Sequence, residues 1–314
     1  MSGAAQAGPS ARGGSSRLVL LALLLAGCAA APRPTELPPG AALVLPVGAG
    51  RALAADDAGR LYVVDGADAT VRVLAPPSPV PADSPVEAVR FGGRGTGAEA
   101  LLAPAGVDPT NGLVLYVADE GAGAVARLST EGRRGEPLAV PDVDAAAVRL
   151  GAARDAARGR PVAVASRAGV LYVAEAERGH VLRFRDGRLD GVMGGPADGA
   201  AALATPRALA LDREGALYVA DGRRVQPFGP LGRPRSALAL GFDAASVALA
   251  GSRLLVAGDD AGRAALAIGP VPGPLVRVEL GLGEPLVGAV ETDAGVFVLT
   301  PTRLVRLPPG ALGP

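Results

Sequence analysis

The sequence predicts an all-β fold built from six copies of one four-stranded unit. Three observations lead to this prediction. One segment recurs six times, each copy reads as a β-hairpin, and the 45 glycines and 29 prolines among 314 residues disfavour long helices. The copies are centred on a bulky residue that recurs after 54, 56, 46, 37 and 42 residues. These centres are Tyr62, Tyr116, Tyr172, Tyr218, Leu255 and Phe297.

Each copy shows the same order of short apolar runs. The first run leads into a glycine-containing turn such as 212–215, and the second ends in LYVAD or a close variant. Two apolar runs joined by such a turn predict a β-hairpin. A third run follows, as in VRVL at 71–74, and a weaker fourth fills the gap, as in RSALAL at 235–240. Four antiparallel strands repeated at this spacing are typical of a propeller blade, so we predict a six-bladed β-propeller.

The two ends of the repeat region predict how the ring closes. Residues 41–47, AALVLPV, form an apolar run that precedes the first copy, and the sixth copy leaves no room for a fourth strand after Leu307. We therefore expect the N-terminal strand to join the last blade, which would remove an exposed sheet edge.

The repeat also resembles a known family. The pattern D-x-x-G-x-LYVAD followed by a Val-x-x-[Phe/Leu] strand is similar to the NHL repeat of six-bladed propellers, over most of 41–310. The similarity is weakest in the fifth and sixth copies, where Gly258 and Thr300 replace the terminal acid. The resemblance implies a binding or scaffolding module for a protein or a small ligand. Gluconolactonase-like relatives imply the alternative, a metal-dependent hydrolase or lactonase.

Residues 1–27 read as an export signal. Arg17 precedes the apolar run LVLLALLLAG at 18–27, which is shorter than the roughly 20 residues that a membrane-spanning helix needs. The run ends in Leu25, Ala26, Gly27 and Cys28. This motif resembles the lipobox of bacterial lipoproteins, which implies that Cys28 carries lipid and begins the mature protein. An ordinary signal peptide with a chance cysteine is the alternative.

The composition agrees with a lipid-anchored protein. Cys28 is the only cysteine, so no disulfide can form within the chain, and lipidation would remove an otherwise reactive exported thiol. Residues 28–40 read as the lipidated cysteine and a Pro-rich tether, and 41–314 as the propeller. Ala29 and Ala30 follow the cysteine, and the resemblance implies the periplasmic face of the outer membrane in a Gram-negative host. Without Arg12 and Arg17 the net charge is about −2, which argues against a nucleic-acid partner.

Four acids stand at the same place in four copies, at the end of the second run. They are Asp65, Asp119, Glu175 and Asp221. Catalytic groups are usually singular, whereas an acid repeated around a ring is better explained by hydrogen bonds to the backbone of the following turn. We predict a structural role for all four and no catalytic residue among them.

Other polar residues offer weaker candidates for a site. Arg223 and Arg224 in the turn after Asp221 form a possible anion-binding patch, with a solvated turn as the alternative. His180 is the only histidine and cannot supply a multi-histidine zinc site, and we expect an exposed turn residue. The sole Asn, Asn111, falls in a hairpin turn.

We predict neither a bound metal nor another cofactor, although three acid clusters could ligate calcium through oxygen. These are Asp56–Asp57, Asp259–Asp260 and the pair Glu291 and Asp293. The long insertions at 75–104 and 135–160 vary most between blades. Partner recognition is expected on such loops.

Overall fold

The computed structural model describes most of the chain that follows the predicted tether. The chain divides into two compact units, Met1–Pro34 and Thr35–Pro314, and every described residue lies in the second. The described residues are 37, 39–75, 87–95, 97, 99–109, 113–143, 148, 157–195, 199, 201–308 and 311–312. The lipobox residues Leu25, Ala26, Gly27 and Cys28, together with Asn111 and much of both long insertions, lie outside them.

Within the described ranges, twenty-four strands form six four-stranded antiparallel sheets, which confirms the predicted all-β, six-bladed β-propeller. The first three blades contain β2 (Gly50–Ala55), β3 (Leu61–Asp65), β4 (Thr70–Leu74) and β5 (Glu87–Gly92); β6 (Pro104–Asp108), β7 (Val114–Asp119), β8 (Ala124–Ser129) and β9 (Leu138–Ala139); and β10 (Pro161–Arg167), β11 (Val170–Glu175), β12 (His180–Arg185) and β13 (Arg188–Met193).

The remaining blades repeat this order, except that the last takes its outer strand from the N-terminal side of the chain. They contain β14 (Pro206–Leu211), β15 (Leu217–Asp221), β16 (Arg224–Phe228) and β17 (Leu238–Ala239); β18 (Asp243–Ala250), β19 (Arg253–Asp260), β20 (Arg263–Pro270) and β21 (Val276–Val278); and β22 (Gly288–Thr292), β23 (Gly295–Leu299), β24 (Arg303–Arg306) and β1 (Ala42–Pro46).

The predicted closure of the ring by the N-terminal strand is also confirmed. β1 runs antiparallel to β24, with Leu43 opposite Val305 and Leu45 opposite Leu304. The Val47 amide extends this pairing by donating to the Thr302 carbonyl oxygen at 2.8 Å. The first strands complete the circle, because each contacts the first strand of the next blade and β22 contacts β2. The last blade therefore joins chain segments from both ends of the propeller.

The hydrophobic core lies between blades and not at the centre of the ring. Six clusters of buried side chains each join two neighbouring blades, and the cluster at the closure combines Leu61 and Leu74 of the first blade with Phe297 and Leu304 of the last. Fully burying a Leu or Phe side chain contributes about 1.5–3 kcal/mol. Because the apolar faces of the blades pack against one another, they do not fill the middle of the ring.

The D-x-x-G turns are held by their aspartates. The Asp56 carboxylate accepts hydrogen bonds from the amides of Ala58 and Arg60, and Tyr62 donates its hydroxyl to the same carboxylate at 3.1 Å. Burial, together with the Asp56 charge, raises the pKa of Tyr62 to about 12, so the phenol keeps its proton and stays a donor. The Asp56 carboxylate thereby links the Tyr62 side chain of the second strand to the turn that follows the first strand.

The fifth blade departs from the repeat because Gly258 stands where the first four blades carry the acid. A side chain there would meet the Asp243 carbonyl oxygen at 2.0 Å, so only glycine fits. The strands continue past this point and reach eight residues in β18, β19 and β20. In the sixth blade Thr300 replaces the acid, and its hydroxyl accepts from the amides of Thr302 and Arg303.

Candidate functional site

The innermost strands of the six blades enclose a channel along the axis of the ring. Its volume is about 910 Å³. Directly opposite the aromatic centre of each second strand, five blades place Ala or Val on the channel wall and one places an acid. These wall residues are Ala54, Asp108, Ala165, Ala210, Ala248 and Val290. At this level of the channel, five of the six wall side chains are therefore apolar.

Asp108 is the exception on this wall. It lies opposite Tyr116, at the position of Ala54 in the first blade, and only 5% of its surface is exposed. It is the only buried acid that the described residues place on the channel wall, because the buried turn acids lie elsewhere in the blades. Asp108 therefore differs from the repeated acids, because the other five blades have Ala or Val at its position.

One mouth of the channel is defined by β-bulges near the start of the first strands. In five blades the register shifts by one residue at this point, and the extra residue lines the channel. Bulges of this kind redirect a side chain out of the regular alternation. The five bulge residues are Arg51, Ala105, Val162, Arg207 and Ala245. We call this end the bulge mouth.

Arg51 and Arg207 give the bulge mouth its charge. They belong to the first and fourth blades, which face each other across a six-bladed ring, and both residues are exposed. Neither guanidinium has a hydrogen-bond or ion-pair partner among the residues that the structure describes. The stem of Arg51 lies over Gly66, where an added Cβ would meet the Arg51 Cγ and Nε atoms at 3.0 Å.

The opposite end, the hairpin mouth, is formed by the turns between first and second strands and carries both signs of charge. Asp57 and Asp293 are exposed there, and Arg167 and Arg306 also line the channel. Two further acids are neutralised by arginines, since Asp56 binds Arg60 at 2.6 Å and Glu291 binds Arg253. The channel is thus cationic at the bulge mouth and mixed at the hairpin mouth.

The four repeated acids lie away from the channel wall, at the turns between second and third strands. Asp65 accepts hydrogen bonds from the amides of Gly48, Ala49 and Ala67 at 2.9–3.0 Å. Ala67 belongs to the following turn. Gly48 and Ala49 instead precede the first strand, so the carboxylate ties the entry of the blade to that turn.

Asp119 and Glu175 repeat this arrangement in the next two blades. Asp119 accepts from the amides of Leu102, Ala103 and Ala122 at 2.8–3.3 Å. Glu175, which is fully buried, accepts from the amides of Arg160, Glu177 and Arg178 at 2.8–2.9 Å. Each acid engages three backbone donors, and its negative charge is used in holding the blade together.

The expectation that His180 is an exposed turn residue is wrong. His180 begins β12 directly opposite Glu175, is 1% exposed, and places Nε2 3.6 Å from the Glu175 carboxylate. The same position opposite the acid holds Thr70 in the first blade and Ala124 in the second. The histidine therefore lies buried inside its blade beside Glu175 and not in a surface loop.

The placement of Arg224 in a turn is wrong as well. Arg224 begins β16 opposite Asp221, at the position of His180, and its guanidinium binds the Asp221 carboxylate at 2.7 Å. Asp221 also accepts from the amides of Ala204 and Thr205. Arg223 donates to the Gly241 carbonyl oxygen and lies 3.8 Å from Asp243. The predicted anion-binding pair is thus already engaged by groups of the protein itself.

No predicted acid cluster forms a metal centre in the described ranges, where no three His, Cys, Asp or Glu side chains are grouped to hold a metal ion. In the cluster Asp259–Asp260, the Asp259 carboxylate accepts from the Gly262 amide and Asp260 binds Arg277 at 2.7 Å.

In the part of the chain that the structure describes, no helix has the length and apolar character that crossing a membrane would require.

Comparison with known proteins agrees on the architecture, that of a six-bladed β-propeller. No family model and no curated protein sequence matches the chain. Solved structures do match: virginiamycin B lyase from Staphylococcus aureus is 12% identical with a TM-score of 0.56, covering 83% of this chain and 95% of the lyase. A streptogramin B lyase is 12% identical with a TM-score of 0.57, covering 84% and 95%. Hydrazine synthase from Kuenenia stuttgartiensis is 13% identical with a TM-score of 0.54, covering 82% and 75%. At these identities the likeness concerns the fold alone.

Proposed function

We propose that this protein is a lipid-anchored protein of the bacterial envelope whose propeller acts as a binding module, with the central channel as its binding site. The observation that supports this function is the channel itself. Its volume of about 910 Å³ falls within the roughly 300–1,000 Å³ usual for ligand pockets, and Ala and Val side chains at its middle lie between charged residues at its mouths. Small-molecule sites are commonly built in this way, with an apolar body and a few polar groups that fix orientation.

The anchor rests on the sequence at the start of the chain. The lipobox-like end of the apolar run precedes Cys28, the only cysteine, and a Pro-rich tether follows it. Lipidation at Cys28 would hold the propeller at the membrane surface. The NHL-like repeat agrees with a module that recognises a partner, and Ala29 and Ala30 favour the outer membrane.

Replacing the lipidation cysteine tests the anchor. We expect the Cys28→Ala protein to take up no labelled palmitate and to leave the membrane fraction, because one thioether carries the lipid. Wild-type protein labelled in parallel is the control. A Cys28→Ala protein that still takes up label would contradict the assignment.

Photo-crosslinking tests the channel. A benzoylphenylalanine probe at Ala105, in the bulge mouth, is compared with the same probe at Leu231, which is 82% exposed in the loop between β16 and β17. We expect one dominant adduct of defined mass at position 105 in intact envelopes and none at position 231. Adding Ala245→Trp on the opposite blade fills the mouth and should abolish the adduct.

Two results would contradict a binding role for the channel. Equal labelling at both probe positions would show unspecific contact, and an adduct that survives Ala245→Trp would place the ligand outside the channel. The melting temperature of the Ala245→Trp protein, followed by circular dichroism, separates loss of binding from loss of folding.

A second candidate, hydrolysis by a lactonase-like site, is favoured by one observation. Asp108 places a buried carboxylate on the channel wall where five blades have Ala or Val. If the channel holds a catalytic calcium ion, calcium should raise the melting temperature and EDTA should reverse the effect, and Asp108→Asn should abolish both. A melting temperature that is indifferent to calcium leaves the binding module as the function.

A further inference from the structure

The bulge mouth concentrates positive charge from two facing blades. Arg51 and Arg207 reach it because each is the extra residue of a β-bulge, while the other bulge residues on the wall are uncharged. A guanidinium presents a planar fork of donors that matches a carboxylate or a phosphate, and it stays charged at any physiological pH. Two such groups at one opening therefore favour an anion.

The nearby carboxylates do not neutralise these arginines, because other groups already engage them. Asp65, which follows Arg51 by one hairpin, accepts hydrogen bonds from three backbone amides and lies 4.0 Å from the Arg72 guanidinium. Asp221, in the blade of Arg207, binds Arg224, and Asp243 lies beside Arg223. At the hairpin mouth, exposed Asp57 and Asp293 add negative charge, so the two ends of the channel differ in charge.

We propose that the channel binds a small organic anion, with its carboxylate or phosphate group between Arg51 and Arg207 and its apolar part along the wall. The inference rests on the proposed function, since it assigns a ligand class to that channel. The two arginines attract an anion to the bulge mouth, whereas the opposite charges at the hairpin mouth offset one another. Raising the salt concentration should weaken binding, because the arginines are exposed.

Calorimetry on the full-length protein in lipid nanodiscs tests the proposal. The probes are 4-phenylbutyrate and phenyl phosphate, with 4-phenylbutyramide as the uncharged counterpart and empty nanodiscs as the blank. We expect at least one anion to bind wild-type protein, and Arg51→Gln and Arg207→Gln each to weaken it about tenfold. The matched control is Arg233→Gln, which removes an exposed charge from the loop between β16 and β17, away from both mouths of the channel, and should leave affinity unchanged. The amide should bind weakly and equally to all variants.

Each outcome of this experiment decides the proposal. Failure of both anions to bind, unchanged affinity in the double variant, or equal binding of the amide would overturn it. Binding of hexaglutamate in place of the small anions would overturn it in favour of an acidic protein segment. Tighter binding of 4-phenylbutyrate would indicate a carboxylate ligand, and tighter binding of phenyl phosphate would indicate a phosphate ligand.

The proposed function can be separated from this inference by the crosslinking experiment. If the Arg51→Gln/Arg207→Gln protein keeps its adduct at position 105, the channel remains a binding site and only the anionic ligand class fails. If Ala245→Trp abolishes both the adduct and anion binding, both proposals refer to the same channel.

Discussion

Deleting β1, Ala42–Pro46, is expected to abolish cooperative folding and to leave the protein aggregated or degraded. The strand supplies all the outer pairing of β24, and its Val44 and Leu45 side chains pack on the cluster between the last and first blades. Each such side chain contributes up to about 1.5–3 kcal/mol. A protein is typically stable by only about 5–15 kcal/mol, and the deletion also exposes an unpaired sheet edge.

A point substitution tests the closure without removing residues. Leu45→Asp places a charge against the fully buried Leu304, whereas Leu43→Asp changes a side chain that is 51% exposed on the same strand. We expect Leu45→Asp to lower the melting temperature by about 10 °C, at about 2–4 °C per kcal/mol for a domain of this size, and Leu43→Asp to leave it nearly unchanged. A soluble β1 deletion with an unchanged melting temperature would show that the last blade does not need its N-terminal strand.

Asp65→Ala is expected to lower the free energy of unfolding at pH 7 by about 3–5 kcal/mol, because three backbone donors lose a charged acceptor. Burial alone would raise the pKa of Asp65, but the hydrogen bonds from Gly48, Ala49 and Ala67 and the charge of Arg72 outweigh it, so this pKa lies below its usual value.

The lowered pKa of Asp65 fixes the pH dependence of this effect. The stabilisation is complete above the pKa of about 3.9 that an aspartate has in the unfolded chain, and it is lost as pH falls through the lower folded pKa. Chemical denaturation between pH 7 and pH 3 should therefore show the difference between wild-type and Asp65→Ala proteins shrinking in acid. Asp57→Ala, at an exposed position, is the control. If the difference in free energy of unfolding stays constant with pH, the charge of the Asp65 carboxylate contributes nothing to stability.

The architecture could be predicted from the sequence because each blade repeats its own local signals. Turns such as 56–59, apolar alternation and the recurring aromatic define each hairpin without knowledge of its neighbours. The closure followed from one unpartnered strand at 41–47 and one missing strand at the end of the sixth copy. The long strands of the fifth blade were not predicted, because Gly258 removes the acid that ends the second strand elsewhere.

The environments of His180 and Arg224 could not be predicted from local sequence because they depend on strand register. Both residues follow a turn, and an exposed position is the usual outcome there. Aligning the copies gives a usable signal, since both stand opposite the repeated acid, in the place of Thr70 in the first blade.

The candidate site was missed for a similar reason. Arg51 and Arg207 look like ordinary charges at strand starts, and only the bulges that the pairing reveals place them on the lining of the channel. The sequence prediction looked to the loops and to the arginines beside Asp221. It could not show that the six first strands bring Arg51 and Arg207, 156 positions apart in the chain, to one mouth.

The yield of photo-crosslinking at residue 105 relative to residue 231, in the full-length protein in intact envelopes, tests the binding channel most directly. A binding module that works through its channel predicts a dominant adduct at residue 105 that disappears with Ala245→Trp. Equal yields at the two positions, with no effect of Ala245→Trp, would contradict it.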